Sequence, residues 1–420
     1  MKVLILGAGV IGITTAYYLA RDGVEVHVVD RQAEPAAETS HANGGVLHTS
    51  EAEPWSRPGA PWQMLRWIGR TDAPMLLRLS ALPFMWRWGL AFAARSNTRD
   101  YRTATRANLR LSVYTLGLIK QLREDLGLDY DQSSLGSMKI YSDRRAFDLM
   151  SAEAEAMREF GMDFEAIDPD RAVAIEPALA SARDTMVGAL HYPPDEAGDC
   201  AKFTQALAAI CEGLGVTFHY GRAVRRLQRE GSRITAVETD RGQLAGDAVV
   251  VAMGSYSPMI ARPLGIRLPI YPVKGVTVTV PAAPWPDGPR MPIIDDRRLF
   301  GINRLGDRYR CPGTVEIARY DARPDPRRCE ALVRNVIDVF PGFADCYDRD
   351  TARFWAGLRP MTPSGNPYLG RTGYDNLYLN TGHGHLGWTM SCGSAKVVAD
   401  CVLGRRPEID LGGLTLVDHT

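Results

Sequence analysis

One stretch near the start of the chain, VLILGAGVIG at residues 3–12, limits the possible folds more than any other. An apolar run leads into Gly7, Gly9 and Gly12, spaced G-x-G-x-x-G, and a helical pattern follows. Residues 2–6 read as a buried strand, 12–22 as a helix and 25–30 as a second strand, a βαβ unit. The first glycine permits a tight turn, the second lets backbone approach a pyrophosphate, and the third lets helix and strand pack closely. The helix N-terminus, with Val10 and Ile11 just before it among the expected cofactor contacts, presents free N–H groups and a partial positive charge to an anion. Asp30 lies 18 residues beyond Gly12 and ends the second strand, with Arg31 beside it. Its carboxylate is placed to accept hydrogen bonds from ribose hydroxyls.

A second glycine-rich turn lies at the opposite end of the chain, in TGHGHLGWTMSCGSA at 381–395. It follows the strand-like NLYLN at 376–380 and precedes a helical pattern through Val397, Val398 and Cys401. A nicotinamide dinucleotide needs one such turn. FAD is longer, and its ring must be held away from the adenine. Gly384, His385, Leu386, Gly387, Trp388 and Thr389 can line the ring end, and the next helix N-terminus can stabilise negative charge there. The two turns together therefore point to FAD.

Composition narrows the rest. At 420 residues the chain suits two domains. Charge is balanced, 49 basic against 49 acidic, so no nucleic-acid footprint exists across the whole protein. Seven scattered cysteines with no CxxC pair suggest neither zinc nor a disulfide framework, and no metal is expected. The apolar N-terminus reads as mature structure rather than a signal peptide. No run reaches the roughly 20 apolar residues that span a bilayer. A reducing, cytoplasmic location is expected.

Further helices are expected over 102–126, 143–161, 203–215 and 329–340. Strands are expected over 136–141, 216–220, 224–229, 233–239, 247–252 and 271–280, and in pieces from 291 to 320.

With these motifs assembled, the chain resembles the D-amino acid oxidase superfamily of FAD-dependent oxidoreductases, nearest its bacterial D-amino acid dehydrogenase branch. The resemblance runs through VLILGAGVIG, ETSHANGGVL, PWSRPGAPW, PPDEAGDC, VVAMGSYSP, YPVKGVTVTV, FWAGLRPMTPSGNPYLGRT and LNTGHGHLGWTMSCGSA. It implies an α/β fold with a Rossmann-like FAD domain assembled from 1–53, 185–268 and 353–420. An antiparallel-sheet (α+β) substrate domain of 54–184 and 269–352 would roof the flavin. FAD is implied to be non-covalent, because Met361 stands near the place where covalent relatives carry a cysteine. By motif, Ser40, Asn43, Gly44, Gly45 and Val46 would touch the flavin and pyrophosphate, Val224 the adenine, and Ala252 and Gly254 the pyrophosphate. The chain departs from the family pattern at NGGVLHTSEAE, where His48, Glu51 and Glu53 enter a segment expected near the substrate; this bears on the usual preference for small neutral amino acids.

The implied reaction is oxidative deamination of a D-amino acid to a 2-oxo acid and ammonia, with electrons passed to a quinone or other acceptor. The substrate's carboxylate needs a clamp, and arginine's planar fork suits it. Arg359 in GLRPMTP is the first choice; Arg304 and Tyr309 in the roof strands are further candidates. Lys274 in YPVKG is a candidate cation near the flavin, and His48 a hydrogen-bonding group for substrate. Two alternatives stay open: an oxygen-using oxidase of the same fold acting on glycine, sarcosine or a cyclic imino acid, and a non-catalytic flavin subunit for electron transfer.

The stretch 54–112 differs in texture. It holds five of the eight tryptophans, and residues 64–112 carry nine arginines, no lysine and two acids, a net +7. Such mixing of aromatics and arginines suits a segment in contact with the inner face of the cytoplasmic membrane. The other reading is an ordinary helical lid.

Overall fold

The computed structural model describes residues 1–68 and 75–416. The apolar run of Lys2–Leu6 suits a strand covered on both faces, and it lies inside a six-stranded sheet. The order is Tyr368–Arg371, Leu377–Thr381, Ala248–Val251, Lys2–Leu6, Glu25–Val29, Thr217–His219. Neighbours run parallel except for the first pair. Helices Val10–Arg21, Cys200–Gly213 and Ser391–Val402 cover one face, with Thr98–Leu126 packed outside. An antiparallel ribbon of Val224–Glu230, Arg233–Thr239 and Gly242–Leu244 covers the other.

A nine-stranded sheet forms the roof, running from Arg353–Met361 through Tyr271–Pro281, Arg308–Ile317 and Phe300–Leu305 to Ile293–Asp295, Ser137–Tyr141, Gly188–Tyr192 and Glu165–Ile167. It is mixed rather than wholly antiparallel. Ile293–Asp295 runs parallel to Ser137–Tyr141, and Met75–Leu77 parallel to Arg308–Ile317. Strands Gly188–Tyr192 and Arg353–Met361 belong to this sheet, so the chain crosses between the two sheets inside segments assigned by resemblance to the FAD domain.

The expected helices and strands are present within a few residues. The Trp-rich stretch holds two helices that periodicity did not resolve, Ala60–Arg66 and Leu82–Arg95. The second starts with Pro83 in its first turn and buries Met85, Trp88 and Phe92 along one stripe, while Phe84, Trp86 and Leu90 face outward. An all-round apolar sequence hides that stripe. Arg70 and Asp72 of this stretch lie outside the described residues.

Candidate active site

A cavity of about 830 Å³ opens between the two sheets. Both glycine turns line it: Gly7 and Gly9 from the first, Gly384 and Gly387 from the last.

The nucleotide end is built by backbone. Gly7 has φ +112° and sits against the Ala252 carbonyl, where a Cβ would come within 2.5 Å of oxygen; a Cβ on Gly12 would overlap the Gly7 carbonyl. These close approaches bring the first helix down onto the strand ends. Gly9 caps that helix without a side chain, and Ser40 Oγ accepts from Val10 N instead, at 3.0 Å. Asp30 accepts from Ala8 N at 2.7 Å and from Gln32 N at 2.8 Å. Burial pushes its carboxyl above the usual range, and those two donors oppose the push. Arg31 is held by Glu38 at 2.6 Å and lies 4.0 Å over the Tyr256 ring. Val224, Ala252 and Gly254 complete this wall.

At the other end the loop 43–46 lines the cavity. Asn43 Oδ1 accepts from Gly45 N at 3.0 Å. Asn303 Nδ2, from the roof, donates to the carbonyls of Gly44 and Gly45 at 3.1 and 3.0 Å. One roof amide therefore fixes the loop at its place over the cavity.

Arg359 projects into this end from the strand Arg353–Met361. Its guanidinium lies 5.8 Å over the Trp55 ring and fills the space beside Gly275, which a Cβ would invade. Its Nη1 is buried with no hydrogen-bond partner, and no carboxylate pairs with it among the described residues. Burial alone pulls it down to about 10. His385 stacks on Trp55 at 5.4 Å between centroids, with Nε2 3.3 Å from the Glu51 carbonyl oxygen. Burial drops His385 to about 4 and His383 to about 3, so both are neutral imidazoles at neutral pH.

The segment after Gly45 lines the same space. His48 faces the cavity, its backbone N–H donating to Thr389 Oγ1 at 3.3 Å. Beneath it, buried Asp195 collects Thr49 N, Ser50 Oγ and Ser137 Oγ. Glu51 pairs with Lys139 at 2.8 Å, and Lys139 also reaches Asp296 at 3.5 Å. Glu53 lines the cavity without an ion-pair partner among the described residues. Burial first, and then the Glu51 charge, push Glu53 up to about 7.

Three expected residues are not brought to the cavity. Lys274 sits between Val273 and Gly275 on a strand whose Gly275 and Thr277 face the cavity, so alternation turns it to the opposite face. There it is buried, 3.0 Å from Glu316 and donating to the Arg323 carbonyl at 3.0 Å. Arg304 follows Asn303 and likewise points away, toward the Pro286 carbonyl. Tyr309 is wholly buried beside Trp285 and donates to its carbonyl at 3.2 Å. Gly12, Leu386 and Thr389 support the cavity from behind rather than lining it. Asn303, Trp55 and Lys139 were missed by sequence reasoning. The parity of FGINRL carries the signal for Asn303, because choosing Arg304 as a ligand turns Asn303 away.

The lining fits FAD. A backbone cradle with a helix N-terminus and the Asp30 carboxyl stands at one end, and a cation with an unpartnered Nη1 at the other. No cysteine lines the cavity, so a cysteinyl link to flavin has no anchor. No group of side chains among the described residues could hold a metal ion.

Residues 2–401 match the family model described as DAO, FAD dependent oxidoreductase. The chain is 44% identical over 416 residues to a D-amino acid dehydrogenase of Allorhizobium ampelinum, covering 99% of this chain and 98% of the relative. It is 45% identical over 418 residues to a D-amino acid dehydrogenase of Rhizorhabdus wittichii, covering 99% of each. Among solved structures, a glycine oxidase of Geobacillus kaustophilus superposes with TM-score 0.78 at 22% identity, over 100% of this chain and 99% of that one. An L-proline dehydrogenase of P. horikoshii gives TM-score 0.78 at 19% identity, over 99% and 96%. These two likenesses show the fold. The match over nearly the whole length, with a cavity built for the cofactor, places the chain in the DAO family of FAD-dependent oxidoreductases.

Proposed function

We propose that this protein oxidatively deaminates D-amino acids to 2-oxo acids and ammonia and passes the electrons to a quinone or another acceptor. The observation that carries it is the unpartnered guanidinium of Arg359, in the cavity that both glycine turns line. Full-length relatives named D-amino acid dehydrogenase support the stereochemistry.

When bound, the flavin supplies the hydride acceptor at N5 for the substrate's Cα hydrogen. Arg359 clamps the substrate carboxylate through two parallel N–H donors, and its burial strengthens that pair. Trp55 and neutral His385 wall off water on one side without adding charge. His48 is placed to hydrogen-bond the substrate or a water. The amine reacts as its neutral form, whose lone pair drives hydride loss, and the released imine hydrolyses.

The acceptor reading draws on the outward face of the Trp-rich helices. Trp62, Leu65, Phe84, Trp86 and Leu90 are exposed there, with Arg66 and Arg87 among them. No helix among the described residues is long and apolar enough to cross a membrane. Contact through this face would bring a lipid-dissolved quinone to the cavity, which Gln63 and Met64 of the first of these helices also line.

Anaerobic bleaching of the flavin by a panel of D- and L-amino acids tests the reading. D-isomers should bleach it and L-isomers should not. Rapid peroxide formation with no reduction of a quinone analogue would make the enzyme an oxidase instead. Bleaching by no amino acid would leave a non-catalytic flavoprotein.

A further inference from the structure

Of the acidic groups at the substrate end, two are already served. Glu51 is 2.8 Å from Lys139, and Asp296 shares the same ammonium at 3.5 Å. Lys139 is thereby shared between two carboxylates. Glu53 is left in the cavity wall with no cationic partner, and the nearby Glu51 carboxylate repels it. Its other titratable neighbours are Glu153, Tyr101, Tyr141 and Tyr192; Lys139 lowers it from a distance without an ion pair, and Arg57, beside Tyr101 in the cavity lining, makes no ion pair with it among the described residues.

Arg359 and Glu53 are thus two side chains of opposite charge type in the cavity lining, each half-buried and with no ion pair among the described residues. Arg359 lies over Trp55, which follows Glu53 by two residues in the chain, and all three line the cavity. Glu51 and Arg359 both act on the charge of His385, which stacks on Trp55. Apolar Met64, Trp67 and Met150 line the same cavity and suit an aliphatic stem. A buried charge without a partner costs free energy that a ligand of opposite charge recovers. An amino acid bound by its carboxylate to Arg359 recovers one of the two. A second, cationic group at the end of its side chain recovers the other.

We propose that Glu53 is a specificity-determining residue that selects D-amino acids with a cationic side chain, of the ornithine, lysine or arginine type. This rests on the D-amino acid reading above and names the substrate class of that same site. A substrate ammonium or guanidinium beside Glu53 holds it ionised, which its surroundings otherwise oppose. Neutral amino acids of equal length leave the carboxyl unpaired and are discriminated against, as sites built for a polar group reject analogues lacking it.

The test compares kcat/KM for D-ornithine, D-lysine and D-arginine with D-norvaline, D-norleucine and D-citrulline, in the flavin-loaded enzyme. At least one cationic substrate should exceed its neutral counterpart on the order of tenfold or more. Glu53→Gln should remove that advantage, chiefly through KM, bringing cationic and neutral substrates within about twofold of one another, with Glu53→Asp intermediate. Equal turnover of cationic and neutral substrates by the wild type overturns the proposal while sparing the D-amino acid reading. So does a Glu53→Gln enzyme that loses both classes alike. The wild-type comparison decides even where a variant fails to fold. Oxidation of no D-amino acid at all sinks the parent reading and the proposal with it.

Discussion

The guanidinium of Arg359 occupies the space that a side chain at Gly275 would fill. The two lie on adjacent antiparallel strands, where Gly275 is paired with Gly357 and Arg359 with Val273. Glycine at 275 is therefore a condition for the clamp and not a flexible point in the strand. Gly275→Ala should displace the guanidinium. Overpacking should cost about 1–3 kcal/mol of stability. Turnover with D-amino acids should fall on the order of tenfold or more, because misplacing a clamp spoils alignment. Flavin content, read from absorbance, should stay at wild-type level. A variant with normal kcat/KM would show that Arg359 does not position substrate from where it stands.

Arg359 should trade stability against activity. Its unpaired charge is buried, and desolvation alone lowers it to about 10. Relieving that in Arg359→Met should raise substrate-free stability by roughly 1–3 kcal/mol. The same change should lower kcat/KM by about 2–5 kcal/mol, roughly 30- to 4,000-fold, with Arg359→Lys between the two. Thermal melts and steady-state kinetics on one preparation check both. Loss of activity together with loss of stability would mark a merely structural arginine.

The parts of this site that sequence revealed are those built from backbone. G-x-G-x-x-G and Asp30 are local, and their spacing is set by one turn and one helix. The distal turn at Gly384 and Gly387 was legible for the same reason. Side chains on the roof were harder to place. Lys274, Arg304 and Tyr309 have suitable chemistry, yet strand alternation sends each away from the cavity. Parity cannot be assigned until it is known which face is covered, and here both faces are. Arg359 was legible only with the motif around it. Its lack of a partner is a long-range fact that no local pattern carries. The helix Leu82–Arg95 was obscured because its outward face is nearly as apolar as its buried one.

Glu53 should leave a pH signature on stability. It is raised to about 7 by burial and by Glu51, with Lys139 opposing and Glu153 and Tyr101 nearby. A carboxyl raised above its unfolded value favours folding fully below the ordinary carboxylate range near 4.5, and that contribution is lost as pH rises to about 7. Glu53→Gln, which cannot ionise, should match the wild type near pH 4.5 and exceed it at pH 8 by on the order of 2 kcal/mol. Melting temperatures of the two proteins across this range give the comparison. A constant offset at every pH would refute the assignment.

His383 acts with the opposite sign. It is buried against Ser394 Oγ at 3.1 Å and lowered to about 3 by desolvation. Its contribution is present above the unfolded value near 6.5 and drains away as pH falls from there toward 3. His385, lowered to about 4, adds to the same slope. His383→Asn keeps a hydrogen-bonding group for Ser394 but cannot take up the proton. It should flatten the acid limb of the stability curve by on the order of a few kcal/mol between pH 6.5 and 4. Unfolding titrations at fixed pH values measure the slope, and an unchanged slope would assign the acid limb to other groups.

The outward face of the Trp-rich helices should bind anionic bilayers. Several of its arginines are engaged inside the protein: Arg78 with Glu316 and Asp325, Arg95 with Asp100, Arg102 with Glu153, and Arg110 with Asp410. The net charge of the stretch thus overstates what a membrane meets. Among the described residues, exposed Arg66, Arg87, Arg99 and Arg106 remain, the last lying over the Phe160 ring, with Trp62 at 73% exposure, Phe84 at 57% and Trp86 at 54%. Each basic residue near an anionic surface contributes about 1 kcal/mol, and buried aromatics add to it. Phosphatidylglycerol vesicles should therefore sediment the protein, phosphatidylcholine vesicles should do so weakly, and salt should release it. Replacing Trp62, Phe84 and Trp86 together by serine should weaken binding on the order of tenfold or more. Turnover with a soluble acceptor should persist, because none of the three lines the cavity. Equal sedimentation of the variant and the wild type would show that these aromatics do not enter the bilayer and that the helices serve only as a lid.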